Sequence, residues 1–114
     1  MNTVTIATED LAVCRAAHIF FANLFRLRGE AEAANLLHCS LRVRKRFAVL
    51  LHAGELATEL FYYGAPRQSD LLGPKLARIV LSPDEADHVK LREAAWRLVR
   101  KHYRSILALA LELS

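Results

Sequence analysis

The chain has 114 residues, enough for one domain with its own core and too few for two. Hydrophobic residues make up 54%, against four glycines and three prolines, which excludes a disordered chain and a turn-rich β-sandwich. A formal charge of +4 permits contact with nucleic acid or an acidic surface but does not require it.

Residues 1–7 contain one short alternating run, "TVTI", and read as a frayed lead-in. The first helix is expected from about Glu9 to Arg28, with Thr8 at its N-cap and Gly29 just past its end. Its apolar residues point nearly all round the axis, the pattern of a central helix or an oligomer contact. Ile19, Phe20, Phe21, Leu24 and Phe25 are the expected self-association surface. The acids Glu9 and Asp10 stand where a secretory leader would be positive, and Arg15, His18, Asn23 and Arg26 interrupt any membrane span. The expectation is a cytoplasmic protein without a membrane partner.

The second helix is expected from about Glu30 to His52, with Leu36, Val43, Phe47 and Leu50 on its apolar seam. Asn35, His38, Arg42, Lys45 and Arg46 form its polar face. Gly54 is expected to kink or end it, with "ELATELFYY" continuing as a further helix to Tyr63. If a turn at Gly29 pairs the first two helices, Cys14 and Cys39 are staggered by about 7 Å, which disfavours a disulfide and suits reduced thiols. After a loop from Gly64 to Gly73, Pro74 opens a short helix, "PKLARIVL". "SPDE" then reads as Ser82 N-cap, Pro83 at the first position and Glu85 closing a capping box, so the last helix is expected from Ser82 to about Leu113. The fold class that follows is all-α: a single, compact antiparallel bundle of three long helices and one or two short ones.

Candidate chemistry is sparse. Arg97 and His102, with four residues between, resemble the motif of the HEPN helical ribonucleases, which implies an RNA-cleaving alternative for this chain. The resemblance covers those two residues only, and Leu98 stands where that motif usually has a polar residue. With twelve arginines and five histidines, about 1.6 Arg–His pairs with the four to six intervening residues that the motif class accepts arise by chance, and Arg46 with His52 is a second. The pair is also about 140° apart round a straight helix. Glu85 and His88 form an ExxH of the kind that holds iron in ferritin-like bundles. No second ExxH and no core acid in the first two helices accompany it, so neither metal nor cofactor is expected. His38–His52 and His88–His102 share a fourteen-residue spacing that would stack histidines in two tiers. No activated nucleophile and no glycine-rich phosphate loop appears.

Two basic clusters remain, Arg42, Arg44, Lys45 and Arg46 on the second helix and Arg97, Arg100, Lys101 and Arg104 on the last. The leading expectation is a non-enzymatic, self-associating module whose clusters contact nucleic-acid phosphates within a larger complex. A protein-binding antitoxin, inhibitor or immunity-type module is the main alternative. Both clusters equally suit ordinary complementing of helix dipoles.

Overall fold

The computed structural model describes residues 8–27, 38–67 and 72–114, and every regular element within them is a helix. These are α1 (Thr8–Leu24), α2 (Leu41–Tyr63), α3 (Leu72–Val80) and α4 (His88–Leu113). The all-α class read from the sequence holds. The lead-in at 1–7, the turn at Gly29 and the acidic opening at Glu30 and Glu32 lie outside the described residues.

α1 stops before the expected Arg28. Arg26 takes the left-handed conformation, φ 55°, that usually belongs to glycine. Its N–H donates to the Asn23 carbonyl at 3.2 Å, and the Leu27 N–H reaches the Ala22 carbonyl at 2.8 Å. These two bonds close the helix, and Leu27 then turns back into the core. That burial offsets the roughly 1–2 kcal/mol that a side chain costs in this conformation.

The second expected helix is divided differently. His38 to Ser40 are turn, bend and extended chain, so α2 starts at Leu41 with Ser40 as N-cap accepting from the Val43 N–H. It then runs without a break through Gly54 to Tyr63, where Gly64 (φ 73°) ends it. Gly54 therefore neither kinks nor ends the helix. It is the point where α1 crosses: a Cβ there would overlap the His18 ring. Ser82 also does not cap the last helix. Glu85 accepts from the Ser82 N–H at 3.0 Å, closing an isolated turn, and its carboxylate is drawn to Arg44. The chain is extended again at Asp87, whose Oδ1 caps the Val89 and Lys90 N–H groups and starts α4 at His88.

Contacts along the helices give their sense. Arg46 meets Phe25 and Gly54 meets His18, so α1 is antiparallel to α2. Gly73 approaches Leu51 and Val80 approaches Arg44, so short α3 lies antiparallel on α2. His52 meets His88 and Glu55 meets Arg92, so α4 runs in the same sense as α2. The expected all-antiparallel order is corrected at that point. α3 returns the chain to the start of α2 before α4 begins. Phe21, Leu56, Val99 and Ile106 are fully buried where α1, α2 and α4 converge.

Replacing Gly54 by Ala is expected to lower stability by about 1–3 kcal/mol, because the methyl group displaces His18. Removing the ring with His18→Ala should cancel most of that loss in the double variant, read by urea unfolding. Equal losses with and without His18 would contradict the close approach.

Candidate functional site

The strongest concentration of polar chemistry is inside the bundle, on a face of α2 that sequence reasoning passed over. His52, Glu55 and Glu59 follow one another at helical spacing, and they are 3%, 4% and 2% exposed. Arg92 from α4 reaches between the two carboxyl groups, with Nη1 2.8 Å from Glu55 Oε1 and Nη2 3.2 Å from Glu59 Oε1. The chain just after α2 completes the arrangement. The Arg67 N–H donates to Glu59 Oε1 at 2.7 Å, and its carbonyl accepts from Arg92 Nη2 at 2.8 Å. The Arg67 side chain lies over the Tyr63 ring, 4.0 Å from its centre.

Burial pushes the Glu55 carboxyl up to about 7. The Arg92 guanidinium opposes that rise, and the adjacent Glu59 carboxyl, in hydrogen-bonding contact, adds to it. One turn earlier, His52 Nε2 lies 3.3 Å from His88 Nδ1, and His88 Nε2 lies 2.7 Å from the Leu81 carbonyl. A carbonyl can only accept, so His88 donates from Nε2, and in that neutral tautomer its Nδ1 accepts a hydrogen bond from the His52 Nε2–H. His52 Nδ1 is then a buried acceptor with no hydrogen-bond partner among the described residues. Burial first, then the neighbouring His88, Arg92 and Arg78, push His52 down to about 4.

The basic clusters are divided by the fold. Arg44 donates to the carbonyls of Cys39 and Val80 and pairs with Glu85 at 2.8 Å. Arg46 donates to the Phe25 carbonyl at 3.2 Å, beside the end of α1. Both arginines thus serve the C-terminal ends of neighbouring helices, where cations are favoured. Arg42 and Lys45 are exposed, as are Arg97, Arg100, Lys101 and Arg104. The first cluster sits beside the segment that precedes α4. The second begins about 14 Å along that helix and ends about 24 Å along it.

The other expected constellations are not assembled. Arg97 is exposed, whereas the His102 ring packs on α1, 4.9 Å from Phe20 and 6.3 Å from Phe21 by ring centres. Glu85 faces Ser82 and Arg44 while His88 faces His52 and Leu81, so the ExxH does not converge. Of the two histidine tiers only His52 with His88 meets, because His38 precedes α2 and His102 serves α1. Among the described residues, no group of three or more His, Cys, Asp or Glu side chains is arranged to hold a metal ion, and no helix is long and apolar enough to cross a membrane. Cys14 and Cys39 form no disulfide, and burial pushes the Cys14 thiol up. Of the expected self-association surface, Phe21 is spent in the chain's own core, Phe20 and Phe25 are half-buried, and Ile19 and Leu24 are exposed.

The missed residues did leave a trace in the sequence. Polar side chains at 52, 55 and 59 share one face of an otherwise apolar segment. Dividing the helix at Gly54 separated His52 from the two acids and hid that face. Compared with known protein families, curated proteins and solved structures, the chain matches none.

The two shifted groups pull stability in opposite directions with pH. Unfolded, His52 takes up a proton near 6.5, but folded it resists down to about 4, so its contribution is lost as pH falls through that window. Unfolded, Glu55 loses its proton near 4.5, but folded it retains it to about 7, so its contribution is lost as pH rises. Between pH 4.5 and 6.5 the two slopes oppose, and the urea midpoint of the natural chain is expected to be nearly flat. Glu55→Gln removes one slope, and its midpoint should rise from pH 4 to 6.5. A variant with the same profile as the natural chain would refute the assignment.

Proposed function

We propose that the chain is a non-catalytic binding module that contacts nucleic-acid phosphates through the solvent face of α4. The observation that carries this reading is the placement of Arg97, Arg100, Lys101 and Arg104. All four are exposed, and their spacing holds them within an arc of about 100° on two turns of a well-capped helix. Among the described residues none is paired with a carboxylate: the ion pairs engage Arg44 and Arg92 instead. Four unneutralised cations on one rigid stripe suit backbone phosphates. Arg100 lies 5.8 Å from the centre of the Trp96 ring, which holds it near the helix surface. The aromatic side chains beside the stripe, Trp96 and Tyr103, are half-buried against the core and not presented for stacking bases, so binding follows the backbone and is indifferent to sequence. Arg42 and Lys45 form a separate, weaker pair.

A second reading, contact with a protein partner, is favoured by the other end of the bundle. Phe61, Tyr62 and Tyr63 are 42–49% exposed, and Phe61 borders an apolar groove of about 240 Å³ formed with Val13, Leu107 and Leu111. In this reading self-association falls to Ile19 and Leu24, the two exposed residues of the expected surface on α1.

Binding to single- or double-stranded nucleic acid should weaken log-linearly with salt, by about 0.7 to 0.9 per phosphate neutralised. Arg97→Glu with Arg104→Glu should abolish binding at about 50 mM salt and leave the thermal midpoint unchanged, whereas Arg42→Glu should reduce it only slightly. Failure of the natural chain to bind at micromolar concentration would remove the phosphate reading and place the protein-contact reading first. Sedimentation of the same samples tests self-association: a monomer unaffected by Leu24→Asp would exclude it.

A further inference from the structure

Given the phosphate reading above, on which this rests, we propose that the α4 stripe bridges the two strands of a DNA duplex across its minor groove, two cations to each row of phosphates. The arrangement of the four side chains is the starting point. Arg97 and Arg100 are one i,i+3 pair, and Lys101 and Arg104 are another, set four residues further along α4. The second pair is displaced by about 6 Å along the axis and about 40° round it. The cations therefore stand at the corners of a parallelogram, with sides of about 5–6 Å between Cβ atoms and a long diagonal of about 10 Å.

The corners are rigidly placed and mutually repelling. Asp87 caps the start of α4, and Arg100 rests near the Trp96 ring, 5.8 Å from its centre. Arg97 with Lys101, and Arg100 with Arg104, are like charges at i,i+4, an arrangement that costs a helix stability. Among the described residues the ion pairs engage other arginines, so no carboxylate relieves the four. Two rows of negative charge at the right separation would.

A strand running along α4 does not fit. Glu93 is exposed on the same face one turn before Arg97. The exposed residues of α4 beyond Arg104 are Ser105, Ala108, Leu111 and Glu112, none of them a cation. Such a strand leaves the cations within about three phosphates and meets an acid at either end. A separated strand also gains nothing from stacking, because Trp96 and Tyr103 are half-buried against the core. A duplex offers two rows at fixed separation. In B-form DNA they face each other across a minor groove about 6 Å wide, close to the offset between the two cation pairs. α4 is flanked by α1, where His102 packs on Phe20, and by α2, where Arg92 meets Glu55, so it presents only a convex crest. A helix about 10–12 Å across cannot enter so narrow a groove. It lies over both lips, Arg97 and Arg100 on one, Lys101 and Arg104 on the other, and leaves the base edges untouched.

The test is the salt dependence of binding, followed by fluorescence anisotropy, on two probes. One is a short DNA duplex, and the other is the same duplex with one strand's phosphates replaced by uncharged methylphosphonates. On the full duplex the natural chain should give a log–log slope of about 3.6, four phosphates at about 0.9 each. On the half-neutral duplex only one pair is engaged, and the slope should be about 1.4, two phosphates at the roughly 0.7 of a lone strand. Arg97→Ala with Arg100→Ala should bring the full-duplex slope to about 1.8 and leave the half-neutral slope near 1.4. A half-neutral slope of about 2.8 for the natural chain would put all four cations on one strand and overturn the bridge. So would a variant that halves both slopes. A natural chain that binds neither probe at micromolar concentration would instead remove the phosphate reading itself.

Discussion

The Arg92 guanidinium, held between two buried glutamates, is the constraint on which the arrangement of the long helices depends. It ties α4 to α2 at Glu55 and Glu59 and ties both to the chain leaving α2 at Arg67. A guanidinium suits this place because its planar fork reaches two acids and a carbonyl from one position, which an ammonium group cannot do as well. Apolar burial of Leu56, Val99 and Ile106 drives the helices together but is indifferent to their register. Directional contacts are what set α4 running in the same sense as α2. His52 with His88 repeats the device one turn earlier, and the Leu81 carbonyl anchors it to the end of α3.

A second theme is the use of arginine at helix ends. Arg44 and Arg46 sit in a run that reads as a nucleic-acid patch, yet each reaches a carbonyl at or beside the C-terminal end of a neighbouring helix. The run positions α1 and α3 against α2, and only Arg42 and Lys45 are left facing outward. The α4 stripe has no such duty. That difference makes α4 the basis of the proposed phosphate contact and the run on α2 part of the scaffold.

The sequence made the helical class legible because composition and 3.6-residue periodicity are local properties. Helix boundaries were less so, and each failure has a cause. Gly54 looked like a breaker, but its missing side chain makes room for His18, a contact between residues 36 positions apart. Ser82 and Glu85 carry the capping-box pattern and do form half of it, but Asp87 offers a second cap five residues later. Arg26 adopts the left-handed turn without glycine because Leu27 gains burial by it. The buried network was legible only in outline. Polar residues at 52, 55 and 59 mark a face of α2, but nothing local shows that the solvated-looking Arg92 turns inward to meet them.

The central claim is that two acids and one arginine compensate one another inside the bundle, and a set of urea unfolding curves tests it most directly. Arg92→Met alone leaves two carboxyl groups buried against each other and should cost about 3 kcal/mol or more at neutral pH. Adding Glu55→Met and Glu59→Met removes the charges that needed it, and the triple variant should recover most of that loss, since apolar side chains of similar size fill the same space. A triple variant destabilised by the sum of the separate losses would contradict mutual compensation and reduce Arg92 to an ordinary packing contact.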